Sequence, residues 1–171
     1  MTPPSAPSAD RSTQPVMTQL ENRLPPPLLW LIASAITWLV ARADIDGSPL
    51  QSTASEWLGV LFAVVGIGVA FAGLREFSKA NTTSDPHNID KASALVTTGV
   101  YRFTRNPMYV GLSLLSIGWG LRLGTAVGLA VGTGLLIVAL IFLQIRPEER
   151  ALSETFGSEY AEYRSSVRRW I

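Results

Sequence analysis

The sequence predicts an all-α integral membrane protein of four transmembrane helices, the last two forming a hairpin, with a cytoplasmic C-terminal helical segment. Three observations lead there. Charged residues make up 16% of the 171 positions, where a soluble domain carries ~25%. They are absent from four runs, 24–41, 57–74, 106–121 and 123–145. At ~1.5 Å per helical residue, 18 residues reach ~27 Å and 23 reach ~35 Å, the scale of a ~30 Å hydrocarbon core.

Residues 1–27 are rich in Pro, Ser, Thr and Gln, offer little to bury, and are expected to form a disordered tail before a single domain over 28–171. No basic segment directly precedes a short apolar stretch there, so a secretory signal is not expected, and Met17 is an alternative start. Span one is strongest from Leu28 to Ala41, with Trp30 and Trp38 near its ends as interfacial rings. Span two, Trp57 to Leu74, is dotted with Gly59, Gly66, Gly68 and Gly73, small residues that let helix backbones approach closely. The third and fourth runs are separated only by Arg122. One continuous helix over 106–145 would be ~60 Å long, about twice the core, so a turn is expected near Leu121 to Gly124. Gly120, Gly124, Gly128 and Gly132 recur every fourth residue and read as a packing face. Placing both termini and the 75–105 loop on one side puts 12 of the 14 Lys and Arg there, as the positive-inside rule asks of a cytoplasmic face. A cytoplasmic membrane location with both termini inside follows.

Composition narrows the chemistry. With no Cys and His87 as the single His, the chain lacks the side chains for a structural zinc site, a disulfide framework, a Cys nucleophile or a multi-His metal cluster, so no metal is expected. A net charge of +1 with no basic run offers no footprint for nucleic acid. The predicted topology brings residues 146–163 back to the face at which 95–109 enter the membrane, so two polar segments should meet there. Each of their residues has an ordinary use. Asn106-Pro107 suits a capped helix start, Pro147 with Glu148 and Glu149 suits another, and Arg102, Arg105, Tyr101 and Tyr109 suit an interface. Together they describe a boundary pocket for a zwitterion with a positive centre. Glu148 or Glu149 would supply negative charge, Tyr faces cation–π attraction, and helix N-terminal amides would hold a carboxylate.

Gly99-x-Tyr101 followed by Arg105-Asn106-Pro107-Met108-Tyr109 and Gly111, then Glu148-Glu149-x-x-Leu152, Phe156-Gly157, Tyr160 and Tyr163, resembles the signature of the integral-membrane methyltransferases that use S-adenosylmethionine. These are typified by isoprenylcysteine carboxyl methyltransferase and bacterial phospholipid N-methyltransferases. The resemblance spans roughly residues 93–171. It implies methyl transfer from S-adenosylmethionine to a lipophilic or small-molecule acceptor at the cytoplasmic membrane face. It also implies a cofactor pocket bordered by Leu95, Val96, Tyr101, Asn106, Pro107, Met108, Tyr109 and Glu149, with Glu149 facing the cofactor and Glu148 facing water. The carboxyl methyltransferases have His where this chain has Asn106, and an Arg four or five residues before the position of Glu149. Here positions 144 and 145 are Gln and Ile, and Arg146 is the nearest Arg and the candidate for substrate binding. Transfer from a sulfonium requires an in-line approach in a site that excludes water, and neither a metal nor an enzyme nucleophile. No catalytic residue is assigned, and prenyl-cysteine, phospholipid amine, small thiol and isoprenoid acceptors stay open. Two other readings remain: an NADPH-dependent membrane reductase of the sterol-reductase type, and a non-enzymatic small membrane protein.

Overall fold

The structure, a computed structural model, describes residues 24–79 and 94–171. Most of the expected disordered tail, Met17, and the middle of the 75–105 loop with His87 lie outside those residues. Five helices are numbered here in chain order: α1 (Pro26–Ala43), α2 (Thr53–Lys79), α3 (Pro107–Leu123), α4 (Ala126–Leu140) and α5 (Arg146–Ser166). A 3-10 turn, Gly99–Arg102, precedes α3, and a π-helical turn, Ile141–Ile145, joins α4 to α5.

Three helices among the described residues are long and apolar enough to cross a membrane: Pro26–Ala43, Thr53–Lys79 and Ala126–Ser166, the last kinked at Gly157. The predicted third span corresponds to α3, whose 17 residues reach ~25 Å, so the expectation of four full-length spans is met in three. α2 runs past both ends of its apolar run, which places Glu56 in its first turn and Lys79 in its last. The expected separate helix start at Pro147 is corrected. Ile145 and Arg146 keep helical backbone angles, and the chain passes from α4 into α5 without a break. Proline in a helix removes one backbone donor and crowds the carbonyl four residues back. The wider π turn immediately upstream lets the helix continue past that defect.

Small residues set the packing. Gly59, Gly66 and Gly73 recur every seven residues on α2, and α3 runs antiparallel against them. A Cβ on Gly59 would stand 2.7 Å from the Gly118 carbonyl oxygen, and one on Gly66 would stand 2.6 Å from that of Gly111. Such a seam brings backbones into contact, while the outward side chains Trp57, Leu61, Val64 and Phe71 are exposed, as suits lipid. Gly68 falls off the seam, with nothing within 4 Å of its Cβ position. Gly128 and Gly132 pack on α1 at Thr37 and Ala33, and Gly120 packs on Leu129 of α4. The buried cluster is Leu29, Ala33, Tyr109, Leu136, Leu140 and Ile145, drawn from α1, α3, α4 and the π turn. α3 ends at Gly124 in the left-handed conformation, and Thr125 caps α4 by accepting from the Gly128 amide at 3.0 Å.

Candidate functional site

The two polar segments that carry the sequence motifs meet. The 3-10 turn begins at Gly99, whose φ of +59° and whose Cβ position, 2.5 Å from the Glu76 carboxyl carbon, both exclude a side chain. Glu76, near the end of α2, is bonded by the Thr98 hydroxyl at 2.8 Å and by Lys79 at 2.5 Å, which ties the turn to α2. Tyr101 is buried with its ring edge-on to Phe77, centroids 5.5 Å apart. Burial pushes its phenol well above the usual range, and the charge of Glu148 adds to the shift. From the other side, α5 is broken at Gly157, where φ is +50° and ψ −117°, a conformation open essentially to glycine alone. The break turns the second half of α5 so that Tyr160 and Tyr163 are buried. The Tyr163 hydroxyl donates to the Tyr101 carbonyl at 2.8 Å, and Arg105 donates to the Tyr160 hydroxyl at 3.2 Å.

Glu149 is the electrostatic centre. Its Oε1 accepts from Arg169 Nε at 3.0 Å and its Oε2 from Arg169 at 2.6 Å, and Arg105 forms an ion pair with Oε1 at 3.0 Å. Two guanidiniums on one carboxylate leave the group net positive, and bonding to Glu149 raises the Arg169 guanidinium further. Both Glu149 and Arg105 are largely buried, with side chains 13% and 10% exposed, so this pair escapes most of the screening that weakens surface ion pairs. Glu148 does not face water as expected. Its Oε1 accepts from the hydroxyl of buried Tyr109 on α3, so both adjacent carboxylates find partners. Asn106 occupies the N-cap position of α3 without capping it. Its side chain makes no cap bond, and its Nδ2 instead donates 2.9 Å to the Arg169 carbonyl.

The other predicted residues are placed as follows. Pro107 is fully buried and, with Met108, packs on Gly73 of α2. Val96 is buried and Leu95 half-buried. Arg146 is exposed with its guanidinium 4.0 Å from the centroid of the Phe142 ring. A cavity of about 460 Å³ opens beside Glu149, lined also by Arg146, Arg150, Ser153, Glu154 and Arg164, all from α5. It therefore joins Glu149 to Arg146, while the predicted residues of 95–109 do not line it.

Two features of the centre suit a zwitterionic ligand. Arg105 Nε is buried without a hydrogen-bond partner among the described residues, a donor suited to a carboxylate. Glu149 accepts two hydrogen bonds from Arg169 and pairs with Arg105, against about four lone-pair positions, which leaves room for a further donor. Sequence reasoning missed Arg169, Thr104 and the C-terminal residues around them. Arg168 and Arg169 counted there only as topology charges. Trp170, an isolated large aromatic in a polar tail, was the available sign that the tail packs.

The family described as phospholipid methyltransferase matches residues 54–159. Protein-S-isoprenylcysteine O-methyltransferase A of Arabidopsis thaliana is 31% identical over 109 residues, 64% of this chain and 55% of the plant protein. The human protein-S-isoprenylcysteine O-methyltransferase is 36% identical over 89 residues, 51% of this chain and 28% of its own length. An uncharacterized protein of Haemophilus influenzae is 38% identical over 64 residues, 37% of this chain and all of that protein. The chain thus spans about half or less of the named methyltransferases it matches. No solved structure matches it.

Proposed function

The chain belongs to the phospholipid methyltransferase family, and from that premise we propose that it transfers a methyl group from S-adenosylmethionine to a lipophilic acceptor at the cytoplasmic face of the membrane. The observation that carries the reading is the Glu149 centre. Within a methyltransferase family, the two motif segments converge on a buried carboxylate with room for one more donor, beside a buried guanidinium NH that lacks an acceptor. Glu149 would bind the ammonium of the methyl donor, and Arg105 its carboxylate. Bound there, S-adenosylmethionine supplies an activated methyl on a sulfonium, which needs alignment more than acid–base help.

The protein's own residues then bind, orient and exclude water. Tyr101, Asn106, Pro107 and Tyr109 are buried and, in this reading, back the site as a dry wall without lining the cavity, together with buried Val96 and half-buried Leu95 and Met108. Arg146, one residue beyond the apolar run and in the cavity wall, would meet a polar acceptor group arriving from the bilayer. Exposed apolar side chains along α2 face the lipid from which a lipophilic acceptor would come.

Isothermal titration of purified protein in detergent tests the reading. Wild type should bind S-adenosylmethionine stoichiometrically. Glu149→Gln keeps the size and removes the charge, and should lose more than the ~1 kcal/mol of one neutral hydrogen bond. Glu148→Gln still accepts from Tyr109 through its amide oxygen and should change little. Absence of binding by wild type, or a larger loss at Glu148, defeats the assignment.

A further inference from the structure

α5 ends when Val167 turns to an extended conformation, φ −121° and ψ 133°, and the last residues run back across the start of α3 as a strap. The strap is held without help from the Arg169 side chain. The Arg105 amide donates 3.0 Å to the Arg168 carbonyl. Asn106 Nδ2 and the Thr104 hydroxyl both donate to the Arg169 carbonyl, at 2.9 and 3.3 Å. Trp170 packs against the buried cluster of α1, α3 and α4. The Arg169 guanidinium is thus delivered on an anchored backbone and spends its planar fork on both oxygens of Glu149.

We infer that Arg169 is a positioning residue: it fixes the Glu149 carboxylate in the one orientation in which that group faces the cavity beside it. The inference deepens the proposed function and rests on it. Arg169 lies beyond the family match, which ends at residue 159. It does not line the cavity, and acts on it only through Glu149. Without Arg169, Glu149 would keep only the ion pair with Arg105 and regain side-chain rotation. Arg146 and Arg164 in the cavity wall would then compete for the carboxylate and draw it from the approach of a ligand cation.

A double-mutant cycle in the full-length protein tests this. Arg169→Ala should weaken S-adenosylmethionine binding about tenfold, and Arg169→Lys, which restores charge but not the fork, should recover to within about threefold of wild type. In a Glu149→Gln background, Arg169→Ala should cost nothing further, since its effect passes through that carboxylate. Hydrogen exchange at the Arg105 amide should stay protected in Arg169→Ala, showing that the strap remains docked. Unchanged or tighter binding by Arg169→Ala, additive losses in the double variant, or loss of Arg105 protection would each overturn the inference. Should wild type bind no S-adenosylmethionine, the proposed function fails by itself, and the same cycle read in thermal unfolding judges the clamp: non-additive shifts keep it and additive shifts overturn it.

Discussion

Substitution of Asn106 separates two accounts of one residue. By sequence it is the N-cap of α3, and Asp caps as well as Asn while Ala does not. A capping role therefore ranks Ala as the damaging change, at about 1 kcal/mol, and Asp as harmless. The structure reverses the order. Asn106 is 9% exposed, makes no cap bond, and donates to the Arg169 carbonyl at 2.9 Å. Ala removes one neutral bond, and the carbonyl keeps the Thr104 hydroxyl at 3.3 Å, so the cost is about 1 kcal/mol. Asp removes the same bond and points a carboxylate at a carbonyl oxygen in a buried site, which adds a desolvation penalty of about 1–3 kcal/mol. The positive charge of Arg105 and Arg169 offsets part of that penalty, but both guanidiniums already share the charge of Glu149, so a net cost of about 2–3 kcal/mol is expected for Asp. At about 2–4 °C per kcal/mol for a chain of this size, Ala should lower Tm by a few degrees and Asp by roughly twice as much. Thermal unfolding in detergent, followed by tryptophan fluorescence, reads both. An Asp variant as stable as wild type, or more stable than Ala, refutes the role in holding the strap and restores capping.

The glycine seam makes a prediction of opposite signs on one helix. Gly66→Ala should destabilise by about 1–3 kcal/mol, because its Cβ meets a backbone carbonyl that cannot move aside, while Gly68→Ala, with open space around it, should stabilise by about 0.5–1 kcal/mol through helix propensity. Matching shifts of Tm at the two positions would mean that α2 does not pack on α3 through this face. The proposed orientation is tested by single cysteines in a chain that has none of its own. One at exposed Ser52 should react with a membrane-impermeant thiol reagent in intact cells, and one at exposed Ser165 should react only after lysis. The reverse pattern would move the site to the other face of the membrane.

The helices were legible in the sequence because a bilayer imposes a rule that acts along the chain. Charge is expelled from spans, so four uncharged runs mark α1 to α4 within a few residues. The motif positions were legible for a similar reason: Gly99, Gly157, Tyr101, Glu149 and Tyr163 stand at fixed spacings, and each proves to occupy a demanding place in the fold. Pairing was not legible. Whether Glu148 or Glu149 would meet Arg105, whether Asn106 would cap α3 or hold a carbonyl 63 positions away, and whether Pro147 would start a helix or ride through one depend on which backbones stand opposite. Side chains at one boundary share the same composition whichever way they pair, so local propensity scores the alternatives alike. Tertiary packing decides by carrying the last five residues back over the start of α3, where the Arg169 fork meets both oxygens of Glu149.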